Sequence, residues 1–206
     1  MMEAPYIYGV ADMFNWFSFL TYAFITAFTP GPNNIMSMTN AARRGFKGAM
    51  PFNFGILGGF TLVMFLCTAF CSFLSAWVPR LKTPMLMVGA AYMLYLAWET
   101  FRSSGDLGSH EAKDGFFTAF VLQFINPKLY IYCIMSMEAY ILPIYHGRPV
   151  MLVLFSLLLA FIGFLATLAW TGFGSAFQRL FSDHAKIVNT ILALLLVYCA
   201  ISLFIS

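Results

Sequence analysis

Long apolar runs separated by short polar stretches organise this chain. A helix needs about 20 apolar residues to cross a hydrocarbon core of roughly 30 Å. Six runs approach or exceed that length, at about 14–42, 51–78, 84–101, 116–142, 150–173 and 187–205. Pro51 and Pro84 stand at the start of their runs, where the first turn of a helix tolerates a missing N–H. The pattern predicts an all-α membrane protein with six transmembrane helices and one domain over 1–206. Two three-helix halves, about 14–101 and 116–205, flank a polar hinge loop at 102–115.

Two of the runs are interrupted from within. Thr29-Pro30-Gly31-Pro32-Asn33-Asn34 breaks the first run, and Asn126-Pro127-Lys128 breaks the fourth. A proline inside a helix deletes one backbone bond and clashes with the carbonyl four residues back. In lipid the freed carbonyl must find a partner in protein or water. The breaks fall in the opening span of each half. An odd number of spans per half sets the halves in opposite orientations, an inverted repeat in topology despite weak sequence identity between them. Paired, interrupted spans of this kind point to a transporter site at the membrane midplane.

Composition narrows the class. Hydrophobic residues make up 61% of the chain and charged residues 9%, against roughly a quarter charged in a soluble domain, so the chain is expected in a lipid bilayer. The net charge of +3 comes from loop Lys and Arg. No basic, aromatic stripe suggests nucleic acid. Loops one, three and five hold Arg43, Arg44, Lys47, Arg102, Lys113, Arg179 and Lys186, whereas loops two and four hold Arg80, Lys82 and Arg148. This asymmetry predicts cytoplasmic odd loops and two periplasmic termini. The N-terminal tail has Glu3 and Asp12 but no Lys or Arg before the first run, which is not the pattern of a cleavable signal.

The polar residues inside the runs carry the candidate chemistry. Pro30 and Pro32 would free the carbonyls of Thr26 and Phe28, Gly31 lets the backbone turn sharply, and Asn33 and Asn34 open a second half-helix whose N–H groups attract a carboxylate. In the second half, Pro127 would free the carbonyl of Gln123, beside Asn126 and Lys128. A lysine near a span centre costs about 2.5–3.5 kcal/mol on insertion scales. Lys128 therefore has four candidate roles: binding a substrate carboxylate, carrying a proton, donating to freed carbonyls, or snorkelling to an interface. Substrate binding or coupling is expected at Pro30, Gly31, Pro32, Asn33, Asn34, Gln123, Asn126, Pro127 and Lys128, with Asn53 and Glu99 as weaker candidates. Glu99 and Glu138 lie near span ends, where interfacial exposure is the default. Gly55-x-x-x-Gly59 suits close helix packing, within the chain or in a homodimer. Cys67, Cys71, Cys133 and Cys199 form no C-x-x-C pair, and His110, His146 and His184 have no metal-ligand spacing. Neither a metal nor another cofactor is expected.

The first motif, followed by Gly45, Gly48 and Gly55, together with Gln123-Phe124-Ile125-Asn126-Pro127-Lys128, resembles the LysE/RhtB family of amino-acid exporters. The resemblance extends over nearly the whole chain in length, span number and motif placement. It implies a bacterial inner-membrane carrier that expels amino acids or close derivatives, with an amino-acid substrate and protons as partners. The Pro-Gly-Pro-Asn-Asn form is most similar to the branch exporting cysteine and O-acetylserine. The tail before residue 14 is longer than that resemblance implies. Two other classes compete. A membrane thiol–disulfide electron carrier would want cysteines beside both breaks, where this chain has asparagine and lysine. A passive channel would not need two broken helices and a central lysine.

Overall fold

A computed structural model describes residues 14–70, 115–176 and 185–205, with positions 84, 87, 90, 91, 94, 95, 97, 98, 101 and 102 between them. Among the described residues every regular element is helical. Helix α1 spans Trp16–Phe28, and its N-cap Asn15 accepts a 3.0 Å bond from the Ser18 N–H. Helix α2 runs Pro32–Ala69. The fourth apolar run divides into α3 (Phe116–Leu122), a 3₁₀ turn (Gln123–Ile125), α4 (Pro127–Ser136), a π-helical stretch (Met137–Ile141) and α5 (Leu142–Tyr145). Helices α6 (Pro149–Ala176) and α7 (Ala185–Ile205) complete the order. The positions described between 84 and 102 are helical.

By length and composition, α2 and α6 can each cross a membrane, and the pair Phe116–Ile125 and Pro127–Tyr145, bent by 62°, would make a third crossing if the two helices form one broken span. The distribution of polarity suits lipid. Phe17 and Phe117 are about four-fifths exposed, while Asn34, Ser37, Asn40, Asn53 and Gln123 are buried. This is a chain with an apolar exterior and amides inside, and it is a multi-pass membrane protein.

One sequence expectation fails between the first two runs. The polar stretch around Arg43 and Arg44 reads as a loop, with Pro51 opening the next helix. Instead, two helical segments meet at one non-helical residue, Gly45, whose φ of 72° and ψ of 173° are reached without strain only by glycine. Helix resumes immediately after Gly45, so Pro51 lies inside it rather than in its first turn. Pro51 is exposed, and the bond it removes costs little packing there.

The remaining glycines of the motif have a different task. A Cβ at Gly55 would overlap the Phe116 carbonyl, and one at Gly59 would overlap the Phe120 carbonyl and press on Gln123. The Gly55-x-x-x-Gly59 stripe therefore seats α3 against α2 within the chain. Gly174 lets α6 approach the Met38 carbonyl in the same way. Helix α2 packs most extensively on α6 and then on α3. Around these contacts, Phe19, Phe60, Tyr132, Met137, Phe155 and Leu159 form one core, and Ile35, Met38, Leu196 and Cys199 form another. Gly59→Val should lower the melting temperature in detergent by several degrees or prevent folding, because overpacking costs about 1–3 kcal/mol and here the obstacle is backbone. Gly172→Ala, with open space at its Cβ, should leave melting unchanged. Equal stability of the two variants would refute this account of the stripe.

Candidate functional site

Both interruptions meet at one cavity. Helix α1 stops at Phe28, Gly31 is extended (φ −169°, ψ 173°), and α2 restarts with Pro32 in its first turn. On the facing element, Asn126 is extended and α4 restarts with Pro127. Thr26, Asn34, Asn126, Lys128, Tyr132 and Thr167 line the space between, with Gly31, Pro32 and Asn33 also reaching it. Water centres can occupy about 40 Å³ of it, room for a few waters at roughly 10–15 Å³ each.

The carbonyls at the end of α1 are satisfied by side chains rather than by helical N–H groups. Thr26 accepts from the Thr29 hydroxyl at 2.8 Å, and Phe28 accepts from the Trp170 indole at 3.1 Å. The Asn34 amide donates to Ala27 at 2.8 Å and to Thr29 at 2.9 Å. Lys128 reaches across from the second half and donates to the Thr29 carbonyl at 2.8 Å and its hydroxyl at 3.0 Å. Lys128 thus donates to a carbonyl just beyond the end of α1. It is half-buried and lines the cavity, which leaves it able to meet a ligand there.

The second break is tied back to the first. Asn33 donates to Gln123 at 2.7 Å and Gln123 returns a bond at 3.1 Å, a reciprocal amide pair that holds the start of α2 against the end of α3. The Gln123 amide also donates to Ala119 at 2.9 Å. The Gln123 carbonyl, deprived of its helical donor by Pro127, accepts only a long 3.4 Å bond from the Asn126 N–H. The Asn126 side chain is buried, and its Oδ1 has no hydrogen-bond partner. An unsatisfied buried acceptor costs about 1–3 kcal/mol.

Asn53 lies apart from the cavity, in a buried chain of bonds. Ser37 donates to Asn53 at 2.8 Å, Asn53 donates to Thr171 at 2.7 Å, and Thr171 donates to the Thr167 carbonyl at 2.7 Å. Thr167 lines the cavity, so the chain links the cavity wall to the interior between α2 and α6. Sequence reasoning missed Ser37, Thr167 and Thr171. The available signal was the spacing Asn34, Ser37, Asn40, three polar residues on one face of a half-helix. Glu138 is exposed, and Glu99 lies outside the described residues. Cys67, Cys133 and Cys199 are buried, with Cys133 in the core rather than at the break.

The model of the LysE type translocator family matches residues 24–206. The chain belongs to the LysE type translocator family. Among its relatives, the cysteine/O-acetylserine efflux protein of Klebsiella pneumoniae subsp. pneumoniae is 38% identical over 190 residues, which cover 92% of this chain and 96% of that protein. The protein of the same name from Escherichia coli strain K12 is 37% identical over 188 residues, 91% of this chain and 96% of its own. That from Salmonella typhimurium strain LT2 is 38% identical over the same length. No solved structure matches the chain. The matched region begins inside α1 and takes in both breaks, so the cavity is built from residues of the family's own translocator domain.

Proposed function

We propose that this protein is a secondary active exporter of amino acids or close derivatives, cysteine and O-acetylserine among them, in a bacterial inner membrane. Export proceeds by proton antiport with alternating access. The observation that carries this reading is the meeting of the two helix breaks at one cavity, where Lys128 of the second half bonds Thr29 of the first. The names of the relatives supply the substrate class.

Physically, the arrangement suits a moving part. Thr29 is gripped by side-chain donors instead of by a continuous helix, and such bonds exchange without unwinding a span. The starts of α2 and α4 bring positive dipole ends to the cavity, and the end of α1 brings a negative one. In a six-span inverted repeat, rocking one half against the other would expose the cavity first to the cytoplasm and then to the periplasm. Inward proton movement then drives substrate outward.

Counterflow with purified protein in proteoliposomes and a panel of labelled amino acids tests the substrate. Labelled cysteine or O-acetylserine should accumulate transiently in vesicles preloaded with the unlabelled compound. In everted vesicles, uptake should follow an imposed acid-inside gradient and collapse with a protonophore. Uphill uptake indifferent to that gradient would assign the coupling to another ion. Orientation has its own test. In a cysteine-free background, Lys47→Cys, exposed beside the Gly45 kink, should react with membrane-impermeant maleimide only in everted vesicles, and Ser206→Cys only in whole cells. The reverse pattern would overturn the periplasmic termini.

A further inference from the structure

Asn126 occupies the N-cap position of α4. Asparagine there ordinarily turns its side-chain oxygen onto the backbone N–H of the second or third helical residue. This one makes no capping bond. Its residue is 7% exposed, it lines the cavity, and Oδ1 is left without a donor. A buried acceptor withheld from its natural local partner is a place for a donor brought by a ligand. Two residues on, Lys128 lines the same cavity. It spends two N–H groups on Thr29, so its third proton is available, and no carboxylate pairs with it among the described residues.

We propose that the two residues flanking Pro127 divide the recognition of a zwitterion, with the Asn126 side-chain oxygen accepting from the substrate α-ammonium and the Lys128 ammonium holding the α-carboxylate. This rests on the amino-acid export reading and specifies how that substrate is read. The proline makes the division possible. It sets Asn126 in extended backbone and Lys128 in the first turn of α4, so neighbours in sequence reach the cavity from different backbone conformations. Like-charge repulsion from Lys128, which is held at the end of α1 by Thr29, orients the ammonium away from it and towards Asn126. The other walls are neutral. Phe60, Leu129, Tyr132 and Gly163 contribute no ionised group, and a Cβ at Gly163 would press on the Phe60 ring. The site therefore suits small, neutral α-amino acids with both main-chain charges free. N-acylated and esterified forms are excluded.

The test uses the purified full-length protein and three probes kept reduced: cysteine, N-acetylcysteine, which lacks the ammonium, and cysteine methyl ester, which lacks the carboxylate. Binding is read as ligand-induced thermal stabilisation, so that it does not depend on turnover. The parental protein should bind cysteine about tenfold or more tightly than either derivative, the effect of one lost hydrogen bond to a charged group. Asn126→Leu should weaken cysteine to the level of N-acetylcysteine and leave N-acetylcysteine unchanged. Lys128→Met should weaken cysteine to the level of the methyl ester. Asn126→Asp, which keeps the acceptor, should retain the preference for a free ammonium, and it decides the matter together with the parental ranking if Asn126→Leu does not fold. A parental protein that binds cysteine and N-acetylcysteine alike, or an Asn126→Leu protein that still discriminates between them, overturns the division while leaving export intact. A parental protein that neither binds nor transports any amino acid overturns both.

Discussion

Lys128→Met should insert and fold as the parental protein does and lose accumulative export altogether. The fold should survive because the Thr29 carbonyl keeps its 2.9 Å bond from Asn34, and the Thr29 hydroxyl keeps its own bond to Thr26. Methionine fills nearly the same volume and removes a charge that is costly in a span. What disappears is the only ionised group among the residues lining the cavity. A lost charge-assisted bond is worth about 1.5–3 kcal/mol, roughly a tenfold to hundredfold loss in affinity. If the lysine also carries the coupled proton, uphill transport vanishes whatever the affinity. Lys128→Arg should be impaired as well, since the guanidinium stays charged at any working pH and its planar fork does not reproduce a compact ammonium on Thr29. Export against a gradient at the parental rate by Lys128→Met would reduce the lysine to a clamp on the end of α1.

How far the sequence leads can be judged residue by residue. The two proline motifs are visible as local breaches of an apolar run, and the carbonyls they free are computable from spacing alone. Which donors reach those carbonyls is not. Trp170 on Phe28, Lys128 on Thr29 and Gln123 on Asn33 are separated by 142, 99 and 90 residues, and nothing local couples them. Ser37, Thr167 and Thr171 are hidden for another reason. Each is a single small hydroxyl in an apolar run, and it becomes part of a network only when α2 lies against α6. The charge around Gly45 suggests a loop of several residues, whereas one residue at positive φ is enough to redirect the chain between two helical segments. Beside it, the glycines at 55 and 59 are legible as a packing stripe, but their partner, the backbone of α3, is not. The unpaired oxygen of Asn126 is the least legible feature. Nothing local to Asn126 and Pro127 shows that the asparagine at the start of α4 withholds its side chain from that helix.

Joining the first break should abolish export more completely than any single change in it. Replacing Pro30, Gly31 and Pro32 together by alanine supplies the missing N–H groups and sets a Cβ at position 31 against the Lys128 side chain. Helix can then continue from α1 into α2, and its bonds would claim the carbonyls of Thr26, Ala27, Phe28 and Thr29. Those four are now held by Thr29, Asn34, Trp170 and Lys128, so every one of these donors loses its partner and the cavity loses one wall. Insertion should survive. Helix α1 has thirteen residues, about 20 Å, too short to span a core of roughly 30 Å alone, and the joined rod to Arg44 would be about 40 Å, which tilt accommodates. Pro32→Ala alone should be milder, within about threefold, because a proline in the first turn lacks only an N–H that has no helical partner and Pro30 still blocks continuity. Pro127→Ala is different. It is the single proline of the second break, so its replacement lets the 127 N–H return to the Gln123 carbonyl and straighten the 62° bend, and it should cost most of the transport. Counterflow rates in proteoliposomes, normalised to inserted protein, decide the matter. Near-parental rates from both the triple variant and Pro127→Ala would mean that the breaks shape packing and are not the moving parts of the site.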